Sequence, residues 1–318
     1  KMWSQGRRRN SEMDWTTPQT FQAGIEWLTR NHRRKNFFLY LDTFDPHEPW
    51  DPPQWAIDLY ADDYDGEPFA WAEYGSASQY GRKELKQLQA LYAGECTVVD
   101  RWFGRLVDTI DLLGLGENTM VIFASDHGHY LGYPNDGGQV GKWWGYRRGD
   151  GKMAGADADV FVPLLDVITN PILMVRTPGQ SKGRTSRAFV QPPDFMPTLL
   201  EYFGVGIPST VQGRSMMPLL KPGARPTGWR TSAVTCDHKM AAEISDRRWL
   251  YGAWVHDHKP ALYDRKTDPR QKRNCLRQHP DIARRLHRRM IRQLQQLGCA
   301  PDWRDRIDAK QHDIPRSK

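Results

Sequence analysis

The sequence predicts an α/β fold, a mostly parallel sheet flanked by helices, followed by a small C-terminal α+β lobe. Three observations carry this reading. Short apolar runs at residues 37–41, 118–124 and 171–175 alternate with stretches of helical periodicity, the rhythm of strand–helix–strand units. The runs are apolar at nearly every position rather than every second one, as in strands buried on both faces of a parallel sheet. Each gives way to a polar, Pro- or Gly-containing loop, and open parallel sheets bind ligands beyond the carboxyl ends of their strands.

Taken in order, residues 1–20 are polar and basic and read as loop. Residues 21–32 place Phe21, Ile25 and Leu28 near one helical face. Residues 37–41, Phe37-Phe38-Leu39-Tyr40-Leu41, follow as a buried strand that stops at Asp45-Pro46-His47-Glu48-Pro49, where two prolines disfavour further strand or helix. Residues 50–80, rich in Asp, Pro, Gly and Trp, read as a long surface loop. Residues 83–113 carry Leu85, Leu88, Leu91, Val98, Phe103, Leu106 and Ile110 at helical spacing, closed by Gly114 and Gly116. The second strand, 118–124, runs directly into Ser125-Asp126-His127-Gly128. The Gly-rich stretch from 128 to 158 is long enough to expect a functional loop. A third strand at 171–175 ends at Pro178-Gly179, and 189–200 leads into a helix. Short strands at 249–254 and 261–263 and a basic amphipathic helix at 280–297 close the chain. We therefore expect residues 1–225 to form an α/β core and 226–318 a C-terminal subdomain with a small antiparallel sheet and the basic helix.

Composition narrows the function classes. At 318 residues, 39% hydrophobic and 26% charged, the chain can build one large core or a core plus a lobe. Its 13 Trp and 22 Pro suit a loop-rich enzyme better than a helical bundle. No run reaches the ~18 apolar residues of a membrane span, since residues 161–175 are broken by Pro163, Asp166, Asn170 and Pro171. A soluble protein without an integral membrane segment is expected. The chain opens on Lys1 without a signal-peptide pattern, and coding sequence upstream is expected. The four cysteines, Cys96, Cys236, Cys275 and Cys299, form no C-x-x-C pair, which argues against a zinc ribbon. Free thiols are expected, with a disulfide between the late cysteines as the alternative for an exported protein. The net charge of +7 is concentrated in residues 265–292 and 304–318. A basic helix face can bind nucleic acid or anionic lipid. No aromatic residues interleave with these cations, so a solvated face is expected and nucleic acid is not an expected partner.

Three features carry chemistry. Asp126 and His127 end a hydrophobic strand, where a carboxylate and an imidazole can converge on one cation; hard cations take oxygen ligands, and transition metals accept nitrogen as well. Taken alone, such a triplet is as often an Asx-type turn. Lys142, in Gly141-Lys142 fifteen residues past His127, could serve as a point charge for a tetrahedral anion. His47, held between two prolines, could donate to an anionic ester oxygen or protonate a leaving group. Trp143, Trp144 and Tyr146 beside Lys142 could stack on a sugar or aryl group, with plain packing as the alternative.

In combination these segments resemble the second half of the type I sulfatase pattern, in the alkaline phosphatase superfamily. The resemblance rests on Pro46-His47-Glu48-Pro49, on Glu117-Asn118-Thr119-Met120-Val121-Ile122-Phe123-Ala124-Ser125-Asp126-His127-Gly128, on Gly141-Lys142, and on Asn170-Pro171-Ile172-Leu173-Met174-Val175-Arg176-Thr177-Pro178-Gly179. It continues through Asp194-Phe195-Met196-Pro197-Thr198-Leu199-Leu200, Gln212-Gly213-Arg214-Ser215, and Leu262-Tyr263-Asp264 with Thr267-Asp268-Pro269 and Asn274. It runs in order from about residue 20 to residue 300 and implies an alkaline-phosphatase-like α/β fold.

By resemblance, Asp126 and His127 are metal ligands, Lys142 holds the sulfate oxygens and His47 sits by the ester oxygen as a general acid. It also implies a divalent metal, Ca2+ first and Mn2+ or Zn2+ in a phosphoesterase-like relative, and a small-molecule or carbohydrate sulfate ester as substrate. Two parts of the family pattern are absent from the 318 residues: the Asp-Asp pair on the first strand, and the C-x-P-S-R segment whose Cys or Ser matures to the formylglycine nucleophile. Asp62-Asp63 follows no apolar strand, and Cys96 lacks the proline and lies on a helix, so it reads as a core thiol. The resemblance thus implies a sulfuric ester hydrolase present as a fragment, inactive alone. A phosphodiesterase or phosphonate monoester hydrolase of the same superfamily and a non-catalytic binding module are the alternatives.

Overall fold

A computed structural model describes residues 9–133, 138–142, 144–145, 160–161, 164–221, 223, 227–237, 241–255 and 258–316. In chain order its elements are α1 (Thr16–Asn31), α2 (Gln54–Asp58), β1 (Gly75–Ser76), α3 (Arg82–Leu112), β2 (Val121–Ala124), β3 (Tyr130–Leu131), β4 (Gln139–Gly141), β5 (Trp144–Gly145), β6 (Val160–Phe161), α4 (Asp166–Thr169) and β7 (Leu173–Arg176). They continue with α5 (Phe195–Tyr202), α6 (Met217–Leu220), β8 (Ser232–Asp237), β9 (Ala241–Asp246), β10 (Trp249–Trp254), β11 (Ala261–Asp264), α7 (Pro280–Gln296) and α8 (Pro301–Ala309). Sheets run β1-β4-β3, β11-β10-β9-β8, β2-β7 and β5-β6. The chain divides into two compact units, one of residues 1–73, 77–122 and 175–183, the other of residues 74–76, 123–174 and 184–318.

The first unit is built on α3. Its apolar residues recur at three and four, so Leu88, Leu91, Val98, Trp102, Leu106 and Ile110 form one buried face. The helix α1 lays Phe21 and Leu28 against it, with the Phe21 and Phe103 rings 6.4 Å apart. Residues 50–61 are not the open loop the composition predicts. Trp50, Pro52, Ala56 and Ile57 are buried, because Gly94 of α3 lets Pro52 approach: a Cβ at Gly94 would lie 2.9 Å from its ring.

One expectation is corrected here. Residues 37–41 are not a strand buried on both faces. Exposure alternates: Phe37, Leu39 and Leu41 are half-buried, Phe37 against Trp27 and Leu41 against Gly24 of α1, whereas Phe38 and Tyr40 are 60% and 72% exposed. Among the described residues, 39–43 make no backbone–backbone hydrogen bond. An apolar run becomes a doubly buried strand only where neighbouring strands take its backbone groups and layers cover both faces.

The second unit has its core at the C-terminal sheet, which is antiparallel throughout. Val234, Ala242, Ile244, Trp249, Tyr251, Ala253 and Leu262 face Ala283, Leu286, Met290 and Leu294 of α7 and Trp303 and Ile307 of α8. The opposite face packs Ala241, Trp254 and Ala261 with Leu164. β8, β9 and α8 were not legible in the sequence, whereas β10, β11 and α7 fall where its periodicity puts them. All four cysteines are free thiols. Among the described residues, no helix is long and apolar enough to cross a membrane.

Candidate functional site

Asp126 and His127 follow β2, in a turn fixed by backbone. Ser125 N donates to Ile172 O at 3.1 Å, and Gly128 N donates to Ile168 O at 3.0 Å. Gly128 is required there: a Cβ would lie 1.8 Å from the Val167 carbonyl oxygen. The sheet of the second unit braces this turn from behind. Asp166, which opens α4, accepts from Arg265 Nε at 2.9 Å, and its N–H donates to Gln271 Oε1 at 2.9 Å.

The two side chains converge. His127 N donates to Asp126 Oδ1 at 2.8 Å, and His127 Nε2 stands 3.5 Å from Asp126 Oδ2. His127 Nδ1 lies 2.9 Å from Gly128 O. A carbonyl only accepts, so Nδ1 carries the proton and Nε2 keeps a lone pair. An imidazole tied through one nitrogen with the other open beside a carboxylate is the arrangement of a metal-ligating histidine. For a divalent cation these two donors fit one side of a coordination sphere. Among the described residues no third His, Cys, Asp or Glu joins them, whereas zinc takes four ligands and calcium about six to eight.

Lys142 follows β4, which pairs antiparallel with β3 in the register Tyr130↔Gly141. Lys142 is the residue just past that last pair. Gly141 has φ +112°, and a Cβ would come 2.4 Å from the Tyr74 ring. Glycine before the lysine thus allows the strand to cross an aromatic ring closely. Tyr74 in turn meets the buried His129 edge-on at 5.8 Å. The lysine is half-buried. Trp143 and Tyr146 lie outside the described residues, and Trp144 is described only as backbone of β5.

His47 belongs to the first unit. Its loop is tied to α3, where Glu95 Oε1 accepts from Asp51 N at 2.8 Å, and to itself, where Trp50 Nε1 donates to Pro46 O at 2.9 Å. Arg9 donates to both Asp51 O at 3.0 Å and Asp51 Oδ2 at 2.7 Å. The His47 ring rests on Phe44 at 4.6 Å, and its Nδ1 lies 2.6 Å from Glu48 O. The tautomer logic of His127 applies again: Nδ1–H is committed and Nε2 is open.

Other motif residues are structural. Asp194 is buried under a bidentate Arg230 and accepts from Gln191 N and Arg214 N, each at 2.8 Å. Gly213 fits only as glycine, its Cβ falling 1.8 Å from Pro193 O. Asn274 Oδ1 accepts from Leu262 N at 3.1 Å and Leu276 N at 3.0 Å, closing the turn after β11. Arg248 beside Asp264 holds that carboxyl down to about 2. Burial pushes the Cys96 thiol up to about 11 on α3, which keeps it protonated and inert, as a core thiol should be.

Comparison with known proteins places these features in a wider frame. The family described as Sulfatase matches residues 15–205, and that described as N-sulphoglucosamine sulphohydrolase, C-terminal, matches residues 165–297. An arylsulfatase of Clostridium perfringens is 29% identical over 222 residues, 65% of this chain and 41% of the relative. An endo-4-O-sulfatase of Bacteroides thetaiotaomicron is 25% identical over 326 residues, 93% of this chain and 59% of the relative. A solved structure from glycosaminoglycan metabolism in the same bacterium superposes with a TM-score of 0.69 at 23% identity, covering 95% of this chain and 63% of that one. The chain thus spans about two fifths to under two thirds of the length of each.

Proposed function

We infer the function from one premise: this chain belongs to the sulfatase family. Its fold is the alkaline-phosphatase-like α/β fold of the solved sulfatases, with a small C-terminal lobe, and its family chemistry is hydrolysis of sulfate esters. Within that chemistry we propose a metal-dependent sulfuric ester hydrolase acting on a carbohydrate or aryl sulfate. The carrying observation is the 3.5 Å approach of His127 Nε2 to Asp126 Oδ2 with Nδ1–H tied to Gly128 O.

Asp126 and His127 would hold a divalent cation, Ca2+ first, which when bound would draw charge from the sulfate oxygens. Lys142 offers a fixed positive charge to the same oxygens. His47, with Nδ1–H committed and Nε2 open, is fitted to carry a proton to a leaving alcohol. The nucleophile is assigned to residues outside these 318, since no C-x-P-x-R occurs among them. A second reading, hydrolysis of a phosphonate monoester or phosphodiester, is favoured by the imidazole ligand, which suits Mn2+ or Zn2+ as well.

The test is turnover of an aryl sulfate against an aryl phosphonate ester by the natural gene product, with bound metal measured by elemental analysis. Asp126→Asn and His127→Ala should each lower bound metal and reduce kcat/KM by about 10²-fold or more, the upper scale of lost metal-site contacts. Unchanged metal and turnover in both variants would overturn the assignment. Preference for the phosphonate ester would select the second reading, and turnover by the 318-residue chain alone would refute the placement of the nucleophile.

A further inference from the structure

The C-terminal 54 residues, 265–318, carry 16 Lys+Arg against 6 Asp. Their net +10 exceeds the whole chain's +7, so the other residues together are acidic. The structure sorts these cations. On α7, Ala283, Leu286, His287, Met290 and Leu294 are buried against the sheet. Arg284 is used internally, donating to Pro315 O at 2.6 Å and to Asp281 Oδ1 at 2.7 Å, and Arg289 donates to Thr231 Oγ1 at 2.6 Å. Arg285, Arg288 and Arg292 remain. They are exposed at positions i, i+3 and i+7, one stripe of the helix about 10 Å long. The turn leading into α7 adds exposed Lys272, Arg273 and Arg277. Among the described residues none of these six side chains has a carboxylate partner.

A merely solvated helix usually interleaves acids at i+4 to offset such repulsion. Here the only acid of α7 is Asp281, which Arg284 already holds. A row of like charges on a rigid, core-anchored helix is matched by a linear polyanion whose groups recur along its length. Guanidinium forks suit tetrahedral oxyanions, which they bind through paired N–H groups. Base stacking would need aromatic residues among the cations, and the sequence places none between 264 and 302. Lying in a membrane would need an apolar face turned outward, and the apolar face of α7 is buried under the sheet.

We propose that the Arg285–Arg288–Arg292 stripe, with Lys272, Arg273 and Arg277, is a binding surface for a sulfated polysaccharide, holding a polymeric substrate apart from the ester being cleaved. The choice of polyanion rests on the sulfate-ester reading above; the surface itself does not.

Binding of fluorescent heparin to the 318-residue chain tests this without any turnover. Wild type should bind heparin more tightly than non-sulfated hyaluronan, poly(dT) or phosphatidylglycerol vesicles. R285Q/R288Q/R292Q should bind at least about tenfold more weakly at low salt, with the slope of log K against log[salt] reduced by about 2 to 3. The triple Arg→Lys variant should retain most of the binding. Heparin binding unchanged by the triple Gln variant would overturn the proposal, and so would hyaluronan, poly(dT) or vesicles binding as tightly as heparin. The wild-type panel decides this even if the Gln variant proves unstable. In the natural gene product, heparin binding without aryl sulfate hydrolysis would sink the proposed reaction and leave the surface standing; hydrolysis without binding would do the reverse.

Discussion

Two apolar stretches of similar length meet opposite fates in this protein. Residues 249–254 form β10, and all six of its residues are buried. Residues 37–41 are as apolar, yet they form no strand, and Phe38 and Tyr40 face outward. The difference lies in what the rest of the chain offers. β10 pairs with β9 on one edge and β11 on the other, and α7 covers one of its faces. Residues 39–43 find no backbone partner among the described residues. Apolar character makes a strand possible; partners on both edges make it a core.

The largest expected effect breaks this contrast at its stronger side. Leu286→Ala should cost about 3 kcal/mol of stability or more, because the buried leucine of α7 leaves a cavity against the sheet. Tyr40→Ser, at the exposed stretch, should cost no more than about 0.5 kcal/mol. Chemical denaturation of both variants measures the pair, and equal losses would mean that residues 37–44 are as well packed as the C-terminal sheet.

His287 sharpens it next. Buried between β10 and α8, it receives the Tyr251 hydroxyl at Nδ1, 3.0 Å, and donates from Nε2 to Asp308 Oδ1 at 3.0 Å. Burial lowers its pKa despite Asp308. A histidine held neutral stabilises fully above its ordinary value near 6.5, and its contribution falls as pH drops below that. Thermal stability should therefore decline as pH falls from 7 to 5. His287→Ala should lower stability at pH 7 by about 2 kcal/mol, by leaving the Tyr251 hydroxyl unpaired, and should flatten the pH dependence. An unflattened profile would assign that decline to other groups.

The smallest effect comes from the opposite face of the sheet. Glu243 is fully buried, and burial, with Asp166 nearby, raises its pKa well above the ordinary 4.5, with Arg265 opposing. A raised carboxyl stabilises below its ordinary value, and that contribution is lost as pH rises toward the folded-state value. Glu243→Gln should leave stability nearly unchanged at pH 4 and raise it at pH 8. A destabilising change at pH 8 would show that the carboxylate form is the one the core needs.

The sequence by itself determined the longest helices and the identities of the chemical groups. Its 3.6-residue periodicity placed α3 and α7 within a residue or two at each end, because an apolar stripe that wide has one way to be buried. The ordered motifs carried the family. Asp126 and His127 were legible as candidate residues at the end of an apolar run, Lys142 and His47 as candidates in loops. β8 and β9 were not legible, since Ser232–Asp237 and Ala241–Asp246 mix Ala, Ser and charged residues that gain cover only in the sheet, β9 against β10 and β8 against β9.

Only tertiary structure decided the rest. It made a carbonyl contact the reason for Gly128 and an aromatic ring the reason for Gly141. It tied Nδ1 of His127 and of His47 to carbonyl oxygens, leaving Nε2 open in each. It left residues 37–41 exposed, because hydrogen bonding and burial of a strand are properties of its neighbours, which no local run of residues can specify.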